Sequence, residues 1–444
     1  MIVLHRQVAL FLGGLITVFL LTNMAYASNQ KPAGPQVIPI ALIGGTIHTV
    51  TGDIIENGTI LFEKGKIVGL GLTVEIPENA LRISVEGKHI YPGLIAAHSI
   101  IGLTEIGAVR ATRDNAEIGD ITPSVRTPAA VNPESEYFPV TRANGILVAL
   151  STPSGGLIAG QSGLIMMDGW TWEEMTLKSP VAMHIYWPSY RIRIFPGADS
   201  EEDQIKQRDK QLKKLRDAFQ AARAYKTAKE AEGQSNIPYH DSDLSWEAMI
   251  PVINKDIPVL VHASDIKQIQ AAIDWAIDEE VRMVLVGGTD AWRVTDRLKK
   301  YDIPVIIGGV LRLPGRRWED FDTPFTNAFK LYQAGVRFCI SDGGGGSNER
   351  NLPYHAATAA AYGLPKDEAL KSVTIYPAEI LGAADQVGSL EENKDATLIV
   401  TDGDPLEIRT HVELAFIQGR RVDLSSKHTD LYDKYLERLE QVKN

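Results

Sequence analysis

Cysteine is almost missing from this chain of 444 residues. The one thiol, Cys339, cannot close a disulfide within the chain. A chain this long buries enough apolar surface to fold without covalent staples. Cys339 lies in the apolar run Val336-Arg337-Phe338-Cys339-Ile340, which reads as a buried strand with an inert thiol. A basic excess is missing too. The formal net charge is -11, which argues against nucleic acid and anionic membrane surfaces as partners. No internal repeat is visible. What remains is an ordinary globular balance, 44% hydrophobic and 23% charged.

The first residues differ from the rest. Arg6 precedes an uncharged apolar run of 14 residues at 8–21, broken only by Gly13, Gly14 and Thr17. Ala25-Tyr26-Ala27 then puts small residues where a signal peptidase reads. The run is shorter than the roughly 20 residues that span a bilayer. It reads as a secretory leader over 1–27, cleaved after Ala27, and predicts a periplasmic or secreted protein with no membrane contact once the leader is removed.

Two short β-rich pieces flank a long α/β stretch. Residues 35–88 and 387–424 carry β-branched runs punctuated by Gly, Asn and Asp, and are expected to pair into one small β-sandwich. Between them, over 89–386, apolar strands alternate with helical segments, the pattern of a parallel (β/α)8 barrel. Strands are expected at 91–97, 145–150, 181–185, 258–262, 282–286, 304–307 and 337–341, and helices at 266–280, 289–300 and 366–381. The charged stretch 201–232 reads as a helical insertion capping the barrel mouth, with Leu212, Leu215, Ala218, Phe219 and Ala222 on its apolar face. The Gly-rich stretch 154–163 reads as a loop near that mouth, and 431–444 as a polar helical tail.

In such a barrel, functional side chains sit at the C-terminal ends of strands. His98, His262 and Asp342 each end an expected strand. Two imidazoles and a carboxylate can hold one zinc-like ion with an open position for water, and lower that water's pKa to about 7. Asp342 could also take the water's proton and pass it to a leaving amine. The alternative for each is a satisfied rim residue. Weaker candidates are the polar loop with Arg110, Arg113, Asp114 and Glu117, and His355, for which helix packing is preferred.

The run Tyr91-Pro92-Gly93-Leu94-Ile95 followed by His98 resembles the first barrel strand, PGLID-x-H-x-H, of the amidohydrolase superfamily. Residues 369–382 are similar to that superfamily's ALxxxTxNPAxxLG helix, and 387–400 to its IGSIExGKxADLVV return strand. The nearest likeness is to imidazolonepropionase-like and dipeptidase-like members. The resemblance implies a metal-dependent hydrolase acting on a small amide or dipeptide. It also exposes departures. The second first-strand histidine is Ile100, the preceding aspartate is Ala96, and the sixth strand runs into Gly287-Gly288 where a histidine would stand. The fourth strand offers His184 in place of a bridging lysine, either as a ligand or as a plain strand histidine. These losses argue against a two-metal centre. They leave one divalent ion, zinc by preference, on His98, His262, Asp342 and His184, or no ion at all. Two functions stay open: hydrolysis of a C–N bond, or a binding or partner subunit without catalysis. In either case the chain could form a homodimer or pair with a related amidohydrolase.

Overall fold

The computed structural model describes residues 31–232, 239 and 241–443. The leader expected at 1–27 lies outside them. Among the described residues no helix is long and apolar enough to cross a membrane. Strands β1 (Ile40–His48), β2 (Ile54–Glu63), β3 (Lys66–Gly71), β4 (Leu81–Ser84) and β5 (His89–Pro92) come first. Then follow β6 (Leu94–Ser99), β7 (Ile146–Ser151), β8 (Ile158–Met166), β9 (Thr176–Tyr186), β10 (Val259–Ala263), β11 (Met283–Gly287), β12 (Val305–Ile307) and β13 (Phe338–Ile340). The last are β14 (Leu398–Thr401), β15 (Val412–Ile417) and β16 (Arg420–Arg421).

The flanking pieces meet as expected, in one hydrogen-bonded sheet ordered β16-β15-β14-β5-β1-β2-β3, with β4 branching from β1. The seam is β14 on β5, antiparallel, with Leu398 opposite Pro92. Alternate residues Ile40 and Leu42, Ile60 and Phe62, and Leu398 and Val400 enter one apolar cluster. That alternation is the period of a strand, and the residues between, Ala41, Leu61 and Ile399, are buried on the other face, Ile399 in a second apolar cluster.

Strands β6 to β13 form the barrel sheet in chain order. All seven strands expected in the α/β stretch are there. The eighth, β8, falls in the stretch expected to be a loop, and it runs antiparallel to both β7 and β9. Two local facts explain it. Only residues 152–157 join β7 to β8, and a parallel crossover needs about a dozen. Every residue of β8 is buried, so it serves as a core strand despite its glycines. Gly160, at φ +119, leaves room for the backbone of Val125, whose carbonyl accepts the Gln161 N–H at 2.8 Å.

The ends of the barrel sheet are bridged by a short strap. The Ile340 N–H donates to the Ser372 carbonyl at 3.0 Å, and the Ile95 N–H to the Val373 carbonyl at 2.8 Å. This strap splits the helix expected at 366–381 into Lys366–Lys371 and Ile375–Ile380. The carbonyls of Ser372 and Val373 are diverted to the barrel and cannot continue a helical ladder.

Helix α1 (Glu201–Ala231) buries Leu215, Ala218, Phe219 and Ala222, the expected face. Its place differs from the expected cap. Phe219 meets Trp275 edge-on at 5.1 Å, on helix α2 (Ile266–Asp278), which follows β10. Lys214 pairs with Asp120 at 2.8 Å, and Arg223 pairs with Glu279 at the far end of α2. So α1 lies along the barrel flank and is the helical link between β9 and β10. An apolar stripe this narrow needs a partner helix, and α2 supplies it.

Candidate functional site

His184 and His262 are brought together by strand register. On the parallel pair β9–β10, His184 lies beside Leu260, and Tyr186 beside His262. Residues two apart share a face, so His184, Tyr186 and His262 all belong to one face of the sheet. His184 Nδ1 and His262 Nε2 share a hydrogen bond of 2.9 Å. The Tyr186 ring stacks on His262 at 4.0 Å, and its hydroxyl donates to the Pro153 carbonyl at 3.0 Å. His98 reaches the same place from β6, its ring centroid 5.1 Å from that of His262. Burial lowers the pKa of His98 to about 4. It also carries those of His184 and His262 well below the usual histidine value, and the neighbouring imidazoles add to the effect. Near neutral pH all three rings are uncharged.

Asp342 follows β13, in a loop of four glycines. Its Oδ1 accepts the Gly344 N–H at 2.7 Å and its Oδ2 the Gly345 N–H at 3.2 Å. Burial raises its pKa to about 6, against the pull of these bonds. Gly344 has φ +89, and a Cβ there would lie 2.5 Å from His98 Cε1. The glycine lets the Asp342 loop close directly onto the His98 ring.

Three of the four expected residues, His98, His184 and His262, thus form one imidazole cluster. Asp342 turns its carboxylate to its own loop, because two backbone N–H groups satisfy it there. His355 holds structure: its Nδ1 accepts the N–H groups of Val310 and Leu311 at 2.9 and 3.1 Å. Arg110 opens and Arg113 follows a short 3-10 turn in an exposed loop. Sequence reasoning missed Tyr186 and Glu349. Tyr186 was detectable, two residues from His184 on the same strand. Glu349 sits in a short polar turn after the glycine loop, where no periodicity marks it. A cleft of about 490 Å³ opens where β10 to β13 begin, lined by Pro258, Arg282, Pro304 and Arg337. It is at the opposite end of the barrel from these groups.

A model of the amidohydrolase family matches residues 172–424. The chain belongs to the amidohydrolase family. It is 23% identical over 390 residues to amidohydrolase tasK of Hapsidospora irregularis, covering 82% of this chain and 39% of that protein. The chain therefore spans about two fifths of that relative's length. The structure is similar to that of an amidohydrolase from Thermotoga maritima, with a TM-score of 0.77 and 26% identity over 86% of this chain and 99% of the other. Phenylurea hydrolase B shares the fold at a TM-score of 0.53 and 15% identity, over 87% of this chain and 97% of its own.

Family members typically depend on a divalent metal. The imidazole cluster of this amidohydrolase fits such an ion in kind. Its rings are neutral, as ligation requires, and His184 Nε2 is buried with no hydrogen-bond partner among the described residues. The donors are not gathered round one point. Among the described residues no three His, Cys, Asp or Glu side chains are arranged to hold one ion. His184 and His262 instead direct nitrogens at each other.

Proposed function

We propose that this amidohydrolase cleaves a C–N bond in a small amide or dipeptide, using one divalent ion, zinc by preference, and Asp342 as proton carrier. The observation that carries the reading is the trio of neutral imidazoles, fully buried at His184 and half-buried at His98 and His262, with a partnerless nitrogen, beside the loop of a carboxylate whose pKa burial raises to about 6. His98, His184 and His262 would hold the ion. Bound there, it would supply Lewis acidity toward a carbonyl and lower the pKa of water to about 7. The chain's own residues do the rest. Tyr186 fixes the His262 ring by stacking. The Gly344 and Gly345 N–H groups orient Asp342, which accepts a proton in its ionised form and returns it to the leaving nitrogen.

The test is metal content of the purified protein, together with hydrolysis of a panel of N-acyl amides and dipeptides. One ion per chain, lost with activity on chelation and in His262→Ala, is the expected result. A protein without metal whose amide-binding survives His262→Ala would overturn it. The second reading, a binding or partner subunit, is favoured by the lack of convergence among the donors, and that outcome would establish it. We also propose that the protein acts outside the cytoplasm, as the leader-like segment supports. N-terminal sequencing of exported protein should begin at Ser28.

A further inference from the structure

Beyond Tyr186 the chain stays tied to the barrel for two residues. The Trp187 N–H donates to the His262 carbonyl at 3.1 Å, and the Gln268 side-chain amide donates to the carbonyls of Trp187 and Pro188 at 3.1 and 3.2 Å. The loop that follows borders a cleft of about 370 Å³, whose other wall is the start of α1. Ser189, where the cleft begins, lies at most about 11 Å along the chain from Tyr186. The guanidinium groups of Arg191, Arg193 and Arg208 line it, against the single carboxylate of Asp199. The acidic first turn of α1, Glu201 to Asp203, is not on the lining.

Two features set this cleft apart from a solvated surface loop. The first is the face of α1. Its buried stripe, Leu215, Ala218, Phe219 and Ala222, continues toward the N-terminus as Gln211, Arg208 and Gln204, at the same helical spacing. The stripe turns from apolar to hydrogen-bonding where it borders the cleft. The second is that the loop is held. Gln204 Oε1 accepts the Arg193 N–H at 2.9 Å, and its Nε2 donates to the carbonyls of Arg193 and Asp199 at 3.0 and 2.8 Å. Ser189 Oγ accepts the Arg191 N–H at 3.1 Å. Arg208 is fixed by an ion pair with Asp209 at 2.9 Å, and by lying 4.4 Å over the Tyr190 ring. Arg191 and Arg193 are exposed and have no ion pair among the described residues, although the chain carries a net charge of -11. Their backbones are anchored and their charges are uncommitted.

We propose that this cleft is an anion site: Arg191 and Arg193 present forked N–H donors to a carboxylate or phosphate group, and the side-chain amides of Gln207 and Gln211 add donors from α1. Two sources share this chemistry. One is the far, anionic end of a substrate whose amide reaches the imidazoles. The other is a separate small anion bound on the rim. The site itself stands without the hydrolase reading; only its use for a substrate end rests on it.

Calorimetric titration of the full chain with inorganic phosphate, and separately with succinate, should show one saturable site per chain. The double variant Arg191→Gln, Arg193→Gln should weaken it by about tenfold or more, the size of a lost charge-assisted hydrogen bond. Arg82→Gln, which removes an exposed arginine from the small sheet, should leave it unchanged. Gln204→Ala alters no charge but frees the loop, and should also weaken binding. Binding that never saturates, or that the double variant leaves as in wild type, overturns the proposal. Turnover separates the two sources. For a substrate end, the double variant raises KM about tenfold for amides with an anionic tail and leaves neutral amides unchanged. For a separate anion, KM is unchanged for both while phosphate binding is still lost. Absence of turnover in the wild type would sink the hydrolase reading and leave the titration standing.

Discussion

On one side of the barrel mouth, His184 and His262 stand on paired strands and are placed by register. On the other, Asp342 and Glu349 stand on a glycine-rich loop and the turn after it. The strand-borne groups satisfy one another, Nδ1 to Nε2 at 2.9 Å. The loop-borne ones depend on backbone N–H groups, in the case of Asp342, or on no well-formed bond, in the case of Glu349. Burial acts on both sides by the same physics, against the charged form. For imidazoles that means losing a proton, and for carboxyls it means keeping one. One low-dielectric setting therefore prepares neutral nitrogen donors and a carboxylate whose pKa is raised to about 6.

The largest effect should come from the loop side. Asp342→Asn keeps the size and an acceptor for the loop N–H groups, but not the base. Hydrolysis should fall by about 10²–10⁴-fold, measured as kcat, with the melting temperature little changed. Full activity would move the proton role elsewhere.

The next effect separates the sides by pH. His98 falls from 6.5 to about 4 on folding. Below pH 6.5 the unfolded chain takes up a proton that the folded chain refuses until about 4, so this stability is present above pH 6.5 and lost on acidification. Asp342 runs the other way, from 3.8 to about 6: the folded chain keeps its proton longer, and stability falls as pH rises through that window. Urea midpoints against pH should show His98→Gln flattening the acid loss and Asp342→Asn removing the opposing slope. Parallel curves for both variants would show that the two groups titrate alike in the folded and unfolded chains.

His184→Ala should cost about 1–3 kcal/mol in urea unfolding, since it removes a fully buried ring and leaves the half-buried His262 Nε2 without its partner. Gly344→Ala should cost about 1–2 kcal/mol, from positive φ and contact with His98. It touches both sides at once, and should also shift the His98 resonance in NMR. Tyr186→Phe keeps the stack on His262 and loses one hydrogen bond, so about 0.5–1.5 kcal/mol is expected. A larger loss would mean that the hydroxyl holds the imidazole side in place.

Much of the fold was legible in the residues. The short apolar runs Ile40-Ala41-Leu42 and Leu398-Ile399-Val400 mark strands, and both runs are buried on both faces. The spacing of Leu215, Ala218, Phe219 and Ala222 marks the buried face of α1. The glycines at 160 and 163 concealed β8, because a strand that accommodates a close neighbour has the composition of a loop. The strap at Ser372 and Val373 was hidden inside a good helical pattern, because its carbonyls are claimed by strands far away in sequence.

Family, barrel and the candidates at strand ends follow from the sequence by itself, because periodicity and motif are local properties of the chain. Strand direction was decided partly by loop length, which is also readable. Only the tertiary structure decided the grouping of the site. His98 meets His262 and the Gly344 loop through contacts between segments that share no local pattern. The protonation states of these groups depend on burial, and burial is a property of the assembled barrel.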